Sequence, residues 1–76
     1  MWRRRNSDVP PTKIAQRLSR LPEADLVAWG DQAIYTTGRY LTAYQRERLP
    51  EYLDEARTGA EALLAVVDEI KRRQGF

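Results

Sequence analysis

Apolar residues recur along this chain at three- and four-residue steps from position 14 to position 70, and nowhere do they alternate with polar ones for five residues. That period marks helices with one buried side and leaves no candidate strand. Ile14, Ala15, Leu18 and Leu21 form a first, short stripe. A second passes through Leu26 and Val27, Gly30, Ile34, Thr37, Leu41 and Tyr44, and a third through Leu53, Ala56, Ala60, Leu63, Val67 and Ile70. The pattern predicts an all-α domain with helices over about 12–20, 22–47 and 50–73.

Two of the helix starts use the same words. RLPEADL at 20–26 and RLPEYLD at 48–54 share Arg-Leu-Pro-Glu, and the likeness then ends, so this is one local solution used twice and not a repeat. Proline at the first helical position gives up an N–H that has no partner there, and Glu23, Asp25, Glu51 and Asp54 complement the positive end of the helix dipole. Leu21 and Leu49 stand where a staple packs back on the helix. The third helix closes on Lys71, Arg72 and Arg73 with Gly75 beyond, a good stop.

Two long helices joined by a very short turn near Arg48-Leu49 must lie antiparallel. Residues whose numbers sum to about 97 then face one another. This pairs Tyr44 with Leu53, Leu41 with Ala56, Thr37 with Ala60, Ile34 with Leu63 and Gly30 with Val67, and it sets Gly38 level with Gly59. A glycine inside a helix costs about 1 kcal/mol against alanine, so two at one level point to a close crossing of the helices there. The apolar residues left outside the seam, Trp29, Tyr35, Leu64 and Val66, are expected at a self-interface, which makes the chain a homodimer.

Composition supports that expectation and removes much chemistry. Seventy-six residues make one small domain, 12–76, with a modest core. Cysteine and histidine are both absent, which excludes disulfides, zinc sites of the usual kind, thiol nucleophiles and imidazole catalysis. Oligomerisation is then the leading source of extra stability. No apolar run is long enough to span a bilayer, and MWRRRNSDVPP has basic residues without an apolar region behind them, so a cytoplasmic protein is expected.

Charge is uneven. Residues 1–21 carry six cations against Asp8 alone, and residues 22–76 carry seven cations against ten acids. Residues 1–11, ending in Val9-Pro10-Pro11, read as a flexible basic arm. Within it Trp2, Arg3, Arg4 and Arg5 suit phosphate neutralisation beside a stacking indole, and Arg17, Arg20, Arg72 and Arg73 would gather at the same pole. An accessory nucleic-acid binder is therefore one reading. The acids Glu23, Asp25, Asp68 and Glu69 share that pole, with pairing expected between Asp68 and Arg72 and between Glu69 and Arg73.

The preferred reading places function at the hairpin tip. Tyr40, Tyr44, Arg46, Arg48 and Tyr52 converge there, and tyrosine and arginine are the side chains most enriched in interface hot spots. Neighbouring carboxylates such as Asp54-Glu55 point about 100° apart on a helix and do not converge on a substrate. No phosphate loop, nucleophile elbow or metal motif is present. The sequence thus reads as a non-enzymatic protein–protein interaction module without cofactor, metal or catalytic residues.

Overall fold

The computed structural model describes residues 13–75, and the basic arm expected over 1–11 lies outside them. Three helices account for nearly all of that length: α1 (Lys13–Leu18), α2 (Glu23–Glu47) and α3 (Pro50–Gln74). No strand occurs among the described residues. The all-α class, the short first helix and the long antiparallel hairpin are as the periodicity predicts.

The two Pro-Glu starts differ in detail. Pro50 opens α3 behind an extended Leu49 (φ −85°, ψ 123°). Pro22 instead stands one place outside α2, extended at φ −60° and ψ 157°, and its carbonyl accepts the Leu26 N–H at 3.0 Å. Gly75 ends α3 in the left-handed region at φ 82°, its N–H donating to the carbonyls of Lys71 and Arg72. Arg48 ends α2 in the same region at φ 60°, where a side chain costs about 1–2 kcal/mol. Its N–H donates to Tyr44 O at 2.7 Å, so the chain turns back after two residues.

That short turn forces the helices together, and glycines stand at the middle of the crossing. Gly30 lies against Val66 and Leu63, and Gly59 against Thr37 and Ala33. The facing pairs Gly30–Val66 and Thr37–Gly59 each sum to 96. The seam therefore runs through 26, 30, 33, 37, 40 and 44 on α2 and 52, 56, 59, 63, 66 and 70 on α3, every member buried or half-buried. Its alternating steps of four and three are those of a coiled-coil seam.

The sequence reading set this seam one residue off at every second position. Ile34, Leu41, Leu53, Ala60 and Val67 were expected inside, yet they are exposed, and Ala33, Tyr40, Tyr52, Gly59 and Val66 take their places. Gly38 is corrected with them: a Cβ built on it meets nothing, so the contact point of the helices is Gly59 against Thr37. The physical reason is distance. Ile34 at the middle of the seam would hold the axes apart there, whereas Gly30, Ala33, Ala56 and Gly59 leave room for a close approach. Thr37 fits this tight space because its hydroxyl donates to Ala33 O at 2.8 Å within its own helix.

α1 closes the open end of the hairpin. Leu18 and Leu26 are fully buried there beside Val66, with Ile14, Leu21, Trp29, Ala65 and Ile70 packed round them. Among the described residues this is the cluster of large buried side chains.

Candidate functional site

Three surfaces remain once the core is set aside: the tip, the basic pole and the outer faces of the hairpin. At the tip the structure brings together the residues expected there. The rings of Tyr40 and Tyr52 lie 5.9 Å apart at a tilt of 38°, and the Arg48 guanidinium sits 5.4 Å over the Tyr44 ring. The Tyr52 hydroxyl donates to Glu47 Oε1 at 3.1 Å, which pushes its ionisation above the ordinary range. These contacts join the last turn of α2 to the first turn of α3. Four of the five tip residues thus serve the turn itself, and Arg46 remains outside it, exposed.

At the opposite pole Glu69 is only 8% exposed although it is charged. Arg72 reaches it with Nε at 3.1 Å and Nη2 at 2.6 Å, and Arg73 with Nε at 2.8 Å. The Glu69–Arg73 pair is the one expected, whereas Arg72 chooses Glu69 over Asp68. Arg73 then turns its Nη2 to the carbonyls of Leu18 and Leu21, at 3.0 and 2.6 Å, and so satisfies the end of α1. Of the cations proposed for nucleic acid, Arg73 is committed to the fold and Arg72 to Glu69; Arg17 and Arg20 are exposed. Trp2, Arg3, Arg4 and Arg5 lie outside the described residues.

The hydrogen bonds from Arg72, and then those from Arg73, hold the Glu69 carboxyl down at about 2, against an ordinary 4.5. A carboxyl lowered in the folded state is protonated first in the unfolded chain. Stability from this cluster is therefore complete above about pH 4.5 and is lost as pH falls towards 2. Thermal melts followed by circular dichroism should show Tm falling through that window. Glu69→Gln should flatten the fall while lowering Tm at neutral pH; an equally steep fall in that variant would place the acid sensitivity elsewhere.

The outer faces carry the clearest signal. Val27, Ile34 and Leu41 each directly follow a seam residue of α2, and Leu53, Ala60 and Val67 each follow one of α3. Because the helices run in opposite directions, a step of 100° past the seam leads to the same side of both. The six residues therefore share one broad face, with Leu64 at its edge. Exposure is 46% for Val27, 55% for Ile34, 49% for Leu41, 41% for Leu53, 61% for Leu64 and 44% for Val67. On the other side of the hairpin Trp29, Thr36, Glu55, Thr58 and Ala62 line a shallow cleft of about 290 Å³ beside α1.

Comparison with family models, with curated proteins and with solved structures finds no match. The surfaces must speak for themselves.

The four residues expected at a self-interface are scattered by the fold. Leu64 edges the apolar face, and Tyr35 is exposed on α2. Trp29 faces the cleft and packs against the core. Val66, at 3% exposure, lies in the core between the helices, and its place outside passes to Val67. The functional candidates that sequence reasoning missed are thus Val27, Ile34, Leu41, Leu53 and Val67, all of them assigned to the seam. The available signal was the recurrence of small residues at one spacing on both helices, Gly30 and Ala33 on α2 and Ala56 and Gly59 on α3. Among the described residues no group of acids could hold a metal ion, and no helix is long and apolar enough to cross a membrane.

Proposed function

We propose that this protein is a small, non-enzymatic protein–protein interaction module of the cytoplasm, an adaptor or regulator, and that it works through the apolar face of the hairpin. One observation carries the reading: six large aliphatic side chains, each between 41% and 61% exposed, lie together on one face. At ordinary side-chain areas they expose roughly 500 Å² together, in the range of the largest apolar patch of a small protein, which is often functional. The tip supports the reading less, because its tyrosines are turned to one another. Among the described residues the one carboxyl held far below its ordinary range is Glu69, which is occupied by two arginines.

A benzophenone side chain placed at Leu64 and irradiated in the living cell tests this. A discrete protein adduct is expected from position 64, whether to another protein or to a second copy, and none from Thr58 on the cleft side. Adducts from Thr58 alone, or from neither position, would overturn the assignment of function to this face.

A further inference from the structure

We infer that the occupant of the apolar face is a second copy of this chain, seated with the two hairpins parallel and their tips at the same end. The inference rests on the reading of that face as an interaction surface and names its partner. The seam contacts fix which exposed residues neighbour one another across the hairpin. With Gly30 against Val66 and Thr37 against Gly59, Val27 neighbours Val67, Ile34 neighbours Ala60 and Leu41 neighbours Leu53, each pair offset by two residues, about 3 Å, along the axis.

These rungs are self-complementary in one arrangement. A half-turn about an axis along the helices, lying in the interface, sets α2 over the α3 of the second copy with levels kept. Ile34 then lies about 3 Å along the axis from the partner's Ala60, within reach of the gap that its small side chain leaves, and the partner's Ile34 lies likewise beside Ala60. The outer rungs match valine with valine and leucine with leucine. A half-turn about a perpendicular axis through the level of Ile34 instead drives Ile34 onto its own copy. An isologous pair uses the same patch twice, and the first arrangement sets large beside small.

Size and stability agree with a second copy. Two such faces bring together roughly 1,000 Å² of aliphatic surface before their rims are counted, which reaches the lower bound for a specific interface. Among the described residues the large side chains that are completely buried are Leu18 and Leu26, and the sequence contains no cysteine with which to staple the fold. A chain this short draws its remaining stability from association.

Sedimentation velocity of the full chain, from micromolar to near-millimolar concentration, should show a reversible monomer–dimer equilibrium. Ile34→Ala should weaken it by about tenfold or more through the lost packing, and Ala60→Ile by a similar factor through overfilling. The double variant Ile34→Ala/Ala60→Ile exchanges large and small across the axis and should restore association. Circular dichroism establishes that each variant keeps its helices.

Single-cysteine chains report the geometry, since the native sequence has no thiol of its own. Under mild oxidation Ile34→Cys mixed with Ala60→Cys should give a mixed disulfide dimer, and Ile34→Cys alone should give little. Predominant self-linking of Ile34→Cys would overturn the parallel arrangement. A monomer at every concentration would overturn the second copy, and so would a double variant no better than the single ones. An adduct from Leu64 to a different protein would then leave the interaction face standing, whereas no adduct at all would remove both.

Discussion

Gly59→Leu should unfold this protein or bring it close to unfolding, while Gly38→Leu should leave the fold intact. Both glycines lie inside long helices, and propensity alone would rank the two changes alike. Their surroundings differ completely. A Cβ at Gly59 overlaps Thr37 Oγ1 and stands 3.3 Å from the Thr37 backbone nitrogen and 3.4 Å from Ala33 O. The Thr37 hydroxyl cannot swing aside without giving up its bond to Ala33 O, and the two backbone atoms belong to a helix that must move as a unit. A leucine there would have to push the axes apart by more than an ångström and would loosen Gly30, Ala33 and Ala56 along with it. Overpacking of this kind costs about 3 kcal/mol or more. A domain of this length holds on the order of 5 kcal/mol in total. Gly38 has open space where its Cβ would be, so Gly38→Ala should raise stability by about 1 kcal/mol. Urea denaturation followed by circular dichroism measures all three variants. Equal losses at positions 38 and 59 would refute the seam described above.

The helices and their ends were legible because their causes are local. Pro50 at a helix start and Gly75 at a helix end need only their neighbours to act, and the three- and four-residue steps need only one turn of helix. The seam was half legible. Hydrophobicity distinguishes Ile34 from Arg39, but it cannot say whether Ile34 or Ala33 faces the other helix. That choice depends on how closely the axes approach, which the two-residue turn and the glycines decide between them. Counting apolar residues favoured the aliphatic member of each neighbouring pair; the crossing takes Ala33 over Ile34 and Gly59 over Ala60, and towards the tip it takes Tyr40 and Tyr52 over their leucine neighbours. The candidate face suffered from the same ambiguity, since its residues were visible as apolar but were placed indoors. The tip was legible, because residues on either side of a short turn must meet. The reach of Arg73 to Leu18 was not, because it joins positions 55 residues apart and depends on where α1 lies.

A hairpin held by small residues gains little from each contact, so the group that fastens α1 to it carries a large share of stability. Arg73→Ala should accordingly be the most damaging change to any charged residue of the fold. The guanidinium is about one-quarter exposed and makes three hydrogen bonds that no other side chain can replace: one to Glu69 and one each to the carbonyls of Leu18 and Leu21. Truncation leaves the end of α1 without its donors and leaves a nearly buried carboxylate with Arg72 alone. Losing charged donors from part-buried carbonyls costs about 2–3 kcal/mol. Arg73→Lys should recover only part of this, because a single ammonium cannot reach Glu69 and two carbonyls in the geometry of a fork. Arg72→Ala is the informative control: Arg72 is 64% exposed and its hydrogen bonds go to Glu69, so its loss should be much the smaller. Hydrogen exchange separates a local from a global effect. In Arg73→Ala the amides of α1 should exchange faster than those in the middle of α2 and α3, because Leu18 and Leu21 lose their anchor while the Gly59 crossing is untouched. Equal damage from Arg72→Ala, or α1 protection unchanged in Arg73→Ala, would show that Glu69 and not the α1 carbonyls is what Arg73 serves.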